Sequence, residues 1–351
     1  MLKKLFYTEV NYVLNYTNLS VKRAIVLTTI NPPNKAIAAL NEGTQQQSIP
    51  FIVVGDTKTP VEAYRLFDQF YSIERQVQQF PRLCEVLPTK HYSRKNVGYL
   101  VAMELGVDEI QETDDDNIPL SEFWKDVPRS VDVDVISSEH PWFNVYSVFS
   151  EQTIWPRGFP LEFVQVPNPI QTQPQQVKGL IIQDLADDNP DVDAVYRLTR
   201  PLPVRFSTRT PVMLQAGSWC PFNSQNTIFR KQVFPLLYLP SKCSFRMTDI
   251  WRSFVAQRCL WECGEGVIFR QPSVFQERNA HNLLKDFEDE VPGYLLNERI
   301  RKTLESLDLD DQDTIRSLVL CYEAMIDSDL LPDDEMPILR AWCREIERVV
   351  S

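Results

Sequence analysis

An α/β fold with a mostly parallel central sheet flanked by helices, followed by a C-terminal helical appendage, is the architecture this sequence predicts. Three observations carry it. Short apolar, β-branched runs stop at turn or polar residues, as strands covered on both faces do. Segments with helical spacing alternate with those runs, which points to strand–helix–strand units. From about residue 295 the strand signals give way to acidic amphipathic helices. The predicted division is a domain over residues 1–290 and an acidic helical extension over 291–351.

Taken in order, Ala24-Ile25-Val26-Leu27-Thr28-Thr29-Ile30 reads as a buried strand that Asn31-Pro32-Pro33 stops. Phe51-Ile52-Val53-Val54 repeats the pattern and ends at Gly55-Asp56, with a short helix over residues 35–41 between the two. Beyond Thr59-Pro60, apolar residues at 63, 67, 70 and 71 follow helical spacing, and Pro60 suits a first helical turn. Residues 95–105 form a helix with the stripe Val97, Val101, Leu105, and Gly106 stands where a helix C-terminus is usually capped. A short strand over 107–113 runs directly into Asp114-Asp115-Asp116-Asn117. Val131, Val133 and Val135 alternate with Asp132 and Asp134, the pattern of a half-exposed strand. Residues 144–174, rich in prolines and aromatics, read as long ordered loops over a site, and Pro332-Asp333-Asp334-Glu335 breaks the helical tail.

With 351 residues the chain can bury a sizeable core. Hydrophobic residues make up 43% and charged residues 24%, a balance that argues against long disorder. The formal net charge is −12 with no Lys/Arg-rich run, so a nucleic-acid backbone would be repelled and no nucleic-acid partner is expected. No apolar stretch approaches the roughly 20 residues needed to span a bilayer. Thr8, Glu9 and Asn11 interrupt the opening Met1-Leu2-Lys3-Lys4-Leu5-Phe6-Tyr7 before a signal-type region forms. Seven cysteines without framework spacing suit the reduced thiols of a cytoplasm. The expectation is a cytoplasmic protein without a transmembrane segment, peripheral membrane contact being left open. Cys259 and Cys263 could share a helix face, but zinc would need two further ligands, and burial is the simpler reading.

Ligands of open α/β sheets bind outside the carboxyl ends of the strands, and Thr28-Thr29, Gly55-Asp56 and Asp114-Asp115-Asp116 all fall at such predicted ends. In an extended segment Asp114 and Asp116 point the same way, because side chains alternate. Two carboxylates on one face make a hard-oxygen site for Mn²⁺ or Mg²⁺, with phosphate oxygens completing the shell. Such an ion would neutralise a diphosphate leaving group. A solvated acidic turn is the plainer alternative. Arg94 and Lys95, just before the third helix, would add cations where a helix N-terminus already favours phosphate; an exposed helix face is the alternative for both.

Longer runs carry more specific information. They are Asn144-Val145-Tyr146, Ile154-Trp155-Pro156-Arg157-Gly158-Phe159-Pro160-Leu161-Glu162, and Asn189-Pro190-Asp191-Val192-Asp193-Ala194-Val195-Tyr196-Arg197-Leu198-Thr199. Pro221-Phe222-Asn223-Ser224-Gln225-Asn226-Thr227 and Arg246-Met247-Thr248-Asp249-Ile250-Trp251-Arg252 follow, then Gln257-Arg258 with Leu260-Trp261-Glu262. Together with Gly55-Asp56-Thr57-Lys58-Thr59-Pro60 and Arg94-Lys95-Asn96-Val97-Gly98-Tyr99-Leu100, they make the chain resemble the STELLO family of glycosyltransferases over about residues 24–285. The helical tail after about 290 has no counterpart in that resemblance.

The resemblance implies a GT-A-like nucleotide-sugar fold, an acidic metal motif at Asp114 to Asp116, and a UDP-sugar donor with Thr28, Thr29 and Asp56 near the nucleoside. Asp116 would ligate the metal directly, with Asp114 or Asp115 assisting or reaching the ribose. His281, after Glu277-Arg278-Asn279-Ala280, resembles the late histidine that completes the metal site in many such transferases; a surface histidine is the alternative. Plant members carry a membrane anchor and act in the Golgi in connection with cellulose synthesis. No anchor is seen in this sequence, so that location and role are not carried over.

Asp249 is the candidate catalytic base, since an inverting transferase needs a carboxylate to take the acceptor proton. It could equally cap the helix that opens there, and a retaining reaction would need no base. Asp191 and Asp193 could bind sugar hydroxyls or cap a helix beginning near Val192. Asn223, Gln225 and Asn226 offer amides suited to hydroxyls or to a turn network, and Trp155 could stack on a sugar or pack locally. The expected function is sugar transfer from a UDP-sugar to a glycan or other hydroxyl acceptor, in polysaccharide or glycoconjugate synthesis. A nucleotide-sugar mutase would use the same donor site without a separate acceptor, and a non-catalytic scaffold of a polysaccharide-synthesis complex would keep the fold alone.

Overall fold

The computed structural model describes residues 23–167, 170–279, 282–309 and 313–350. β1 (Arg23–Thr29) leads through α1 (Lys35–Gln47) to β2 (Phe51–Gly55), β3 (Phe70–Tyr71), α2 (Ile73–Gln79), α3 (Pro81–Val86), α4 (Lys95–Glu104) and β4 (Glu109–Thr113). The middle of the chain contributes β5 (Asn117–Pro119), β6 (Val131–Ser137), α5 (Tyr146–Phe149), β7 (Gln171–Val177), β8 (Ile181–Asp187), α6 (Ala194–Thr199), β9 (Val212–Leu214) and β10 (Asn226–Arg230). Then come α7 (Thr248–Glu262), β11 (Val267–Gln276), α8 (Leu283–Glu305), α9 (Thr314–Asp327) and α10 (Met336–Val350).

These strands form one mixed sheet in the order β3-β2-β1-β4-β10-β8-β11-β9-β6-β7, with β5 paired to β11. The expected parallel arrangement holds from β3 to β4. Beyond β4 it gives way to mixed pairing, because β10 runs antiparallel to both its neighbours. The long apolar run of β1 follows from its place between β2 and β4. Ala24 and Val26 face a core shared with α4, whereas Ile25 and Leu27 face Ile37 and Leu40 of α1. α4 lies directly on the sheet at Gly98, where a Cβ would stand 2.6 Å from Val26 and 2.7 Å from Val54. The chain leaves β1 for β2 on one side and returns to β4 on the other, which creates the crevice at strand carboxyl ends that open α/β sheets use for ligands.

Two expectations are corrected. Residues 61–71 are not a helix but a 3₁₀ turn (Val61–Tyr64) followed by β3. Their apolar residues serve an aromatic cluster instead, with Tyr64 stacked on Phe70 at 4.7 Å and beside Phe67 at 5.1 Å. The C-terminal helices do not form an appendage. Ile300, Leu304, Leu318, Met325, Leu339 and Trp342 belong to the same core as α4 and α7. α8 receives the indole N–H groups of Trp142, Trp219 and Trp251 through Glu298 (2.8 Å), Glu305 (2.7 Å) and Asn297 (3.0 Å). The break at Asp333–Glu335 buries Glu335, which accepts from Tyr238 Oη and from the Ser241 (3.0 Å) and Lys242 (2.7 Å) amides. Cys259 is buried 3.9 Å from Cys321, and Cys263 is exposed.

Candidate functional site

The carboxyl ends of β1, β2 and β4 open into one cavity of about 450 Å³. Thr28, Thr29, Asp56, Asp114, Asp115 and Asp116 line it, together with Arg157, Asp191, Gln225, Arg246, Asp249 and Arg278. β4 ends because Asp114 to Asp116 leave the ladder: the Asn117 amide turns back onto the Asp114 carbonyl at 3.3 Å. The three carboxylates then separate in role. Asp115 ties the β1 loop down, accepting from Thr29 Oγ1 (2.5 Å) and Asn31 Nδ2 (2.9 Å). Asp114 accepts from Tyr92 Oη at 2.7 Å, with Lys95 Nζ at 3.5 Å. Asp116 accepts from Gln276 Nε2 at 2.8 Å and from the Asn279 amide at 3.4 Å.

Burial pushes the Asp114 carboxyl up to about 7, against the pull of Lys95, and the charge of Asp116 adds to the rise. Asp116 is raised as well, mainly by burial and against the Gln276 hydrogen bond, with Asp115 adding to the rise. Burial thus disfavours the charged form of both carboxylates. Among the described residues, no group of three His, Cys, Asp or Glu side chains stands together as a metal-ligand set.

In the same cavity, Arg157 is held by two carboxylates. It donates to Asp191 from Nε (2.8 Å) and Nη2 (2.7 Å), and to Asp249 from Nη1 and Nη2 (3.0 Å each). Asp249 also accepts from the Ser224 amide (3.1 Å) and hydroxyl (3.2 Å). Burial alone would raise the Asp249 carboxyl, but Arg157, its hydrogen bonds and Arg252 hold it well below the usual carboxylate range. Such a carboxylate is a weak base, and both of its oxygens are engaged by Arg157 and Ser224. Arg246 donates to Glu290 at 3.0 Å and Arg278 to Asp286 at 2.8 Å. Burial followed by the nearby Arg278 lowers Arg197 to about 9.

Several sequence-derived candidates lie elsewhere. Arg94 is buried away from the cavity, donating to Gln76 (2.9 Å) and the Leu87 carbonyl (3.3 Å). Lys95 is buried beneath the cavity, bonded to the Thr113 (2.9 Å) and Ser224 (3.1 Å) carbonyls, and reaches it only through Tyr92 and Asp114. Both were expected to offer cations to a phosphate at the start of α4, with an exposed helix face as the alternative, but that end of α4 is buried. Trp155 is buried, donating to Asp193 at 2.7 Å and edge-on to Tyr196. Asp193 caps α6 through the Tyr196 amide at 2.7 Å. Asn223 closes a turn onto the Gln225 amide at 3.0 Å. His281 lies outside the described residues. Sequence reasoning passed over Arg157, Arg246 and Arg278, although all three stand within or beside the quoted runs; arginines recurring there were the available signal. Lys58, Lys90 and Tyr92 also line the cavity.

No described helix is long and apolar enough to cross a membrane. A family model described as STELLO glycosyltransferases matches residues 246–349. The match covers Arg246, Asp249, Arg278 and all three C-terminal helices, so the tail does have a counterpart in the family. Probable glycosyltransferase STELLO2 of Arabidopsis thaliana is 29% identical over 282 residues, which is 74% of this chain and 36% of that protein. Probable glycosyltransferase STELLO1 of the same plant is 26% identical over an alignment covering 94% of this chain and 45% of that protein. The chain therefore spans less than half the length of the curated relatives it matches. With its mixed sheet flanked by helices and these matches, the chain is similar to the STELLO glycosyltransferases.

Proposed function

We propose that this chain transfers a sugar from a nucleotide-sugar donor, specifically a UDP-sugar, to a glycan or other hydroxyl acceptor, with Mn²⁺ or Mg²⁺ assisting. The observation that carries this reading is the arrival of Asp114, Asp115 and Asp116 in one cavity with the ends of β1 and β2, together with Arg246 and Arg278. The names of the relatives support the reaction class.

Asp114 and Asp116 fit a divalent ion, because burial leaves their charged forms wanting a cation. Asp115 fits less well, since three side chains, Thr29, Asn31 and Asn279, donate to it, whereas Asp116 accepts from one side chain, Gln276, and from the Asn279 amide at 3.4 Å. When bound, the ion would act as a Lewis acid toward the diphosphate oxygens. Thr28, Thr29 and Asp56 would meet the nucleoside. Arg246 and Arg278 would hold phosphate oxygens in a partly dry site, where fixed charges act strongly. Asp191 and Gln225 would meet sugar hydroxyls, with Arg157 fixing the Asp191 carboxylate.

Titrating UDP calorimetrically into the protein, with Mn²⁺ and then with chelator, tests this. The expected result is binding at least about tenfold tighter with metal, equivalent to roughly 1.4 kcal/mol, and lost in Asp114→Asn/Asp116→Asn. Absence of UDP binding in either condition would favour another nucleotide or the scaffold reading. A product formed without added acceptor would favour the mutase reading.

A further inference from the structure

A second cavity, of about 540 Å³, lies at the far edge of the sheet, lined from β6, β7, β9 and the turn after α7. Gln171, Gln173 and Gln175 stand at alternate positions of the outermost strand, opposite Ser137, Val135 and Val133 of β6, so they share one face. Gln215 adds a fourth amide to the lining, which also includes Trp261. Trp261 is partly exposed, and its ring is set by an edge contact with Trp219 at 4.6 Å. Among the described residues Glu265 is the single charged side chain in the lining. It is only 9% exposed. Its Oε1 accepts the Lys178 amide at 3.2 Å, while its Oε2 is buried and accepts no hydrogen bond from a described residue.

We propose that this groove binds a neutral glycan chain, separately from the cavity at the strand ends. Side-chain amides both donate and accept, as a chain of hydroxyls requires. A buried acceptor without a donor is costly, and a sugar hydroxyl supplies the donor that Glu265 Oε2 lacks. An indole face offers the apolar surface that the C–H face of a pyranose can cover. Among the described residues the lining contains no cation, and the chain's net charge is −12, so an acidic polymer is disfavoured. Addition of a peptide strand to the free edge of β7 is disfavoured by Pro174, which removes a backbone donor from the middle of that strand. This inference does not depend on sugar transfer at the first cavity.

The test uses the full chain and calorimetric titration with cellohexaose, mannohexaose and maltohexaose, with a hexamer of galacturonic acid as the acidic comparison. At least one neutral hexasaccharide is expected to bind. Gln173→Ala/Gln175→Ala, two exposed positions, and Glu265→Gln are each expected to weaken it at least about tenfold, or roughly 1.4 kcal/mol, with UDP binding unchanged. The proposal is overturned if no neutral hexasaccharide binds, if the variants bind as wild type does, or if the acidic hexamer binds equally well. Self-association of the chain that the double variant abolishes, without hexasaccharide binding, would assign the face to a protein partner and overturn it as well.

Discussion

Replacing Asp249 with asparagine separates a positioning role from a basic one. In the structure both oxygens of Asp249 are committed, to Arg157 at 3.0 Å on each side and to Ser224 at 3.1 and 3.2 Å. Asparagine would keep one acceptor, turn an amide donor toward a guanidinium and remove a charge from a buried pair. Breaking a buried ion pair costs about 3–5 kcal/mol. Arg157 would keep Asp191 at 2.7 Å, so the expected loss is near the lower end, about 3 kcal/mol. The pH dependence has a definite sign. Because Asp249 is held below its ordinary pKa, its contribution is present above the pKa of an unfolded aspartate and lost as the solution is acidified. Urea unfolding of wild type and Asp249→Asn at neutral pH, repeated in acid, should show the gap closing as pH falls. A variant within about 0.5 kcal/mol of wild type at neutral pH would refute this account, since surface changes commonly stay in that range. A stable variant that has lost sugar transfer would restore the catalytic-base role.

Two further outcomes follow from the packing. Burial raises the Asp193 carboxyl to about 6, against the Tyr196 amide and the Trp155 indole. A folded pKa above the unfolded one means that this contribution is complete below about pH 4 and is lost as pH rises through about 6. Wild type should therefore lose on the order of 3 kcal/mol between pH 4 and 7 from this group, a slope that denaturant titrations of Asp193→Asn should lack. Ending the chain at residue 290 should yield insoluble or dye-binding protein, because Trp142, Trp219 and Trp251 would lose their α8 acceptors. A cooperatively folding chain of residues 1–290 would show that the helices are dispensable.

Local pattern made much of the first half legible. Run length and period identify β1, β2, α4 and β4 because apolar alternation and turn residues act over a few neighbours. The same pattern misled at residues 61–71, where helical spacing of aromatic residues served a ring cluster. It also misled at the C-terminus, where acidic, amphipathic helices looked separable and yet bury Trp342 and Glu335.

The sequence by itself determined the α/β class, the strand ends and the presence of three consecutive carboxylates at one of them. Its longer runs carried the resemblance to the STELLO glycosyltransferases. Only the tertiary structure decided which polar residues share a cavity. Arg157 meets Asp191 and Asp249 across 34 and 92 positions, and Lys95, four residues from Tyr99 on an ordinary-looking helix, ends beneath the site because α4 is covered on both sides. Burial and hydrogen-bond partners set a side chain's charge and reach. Both are products of long-range contacts, which no local spacing encodes.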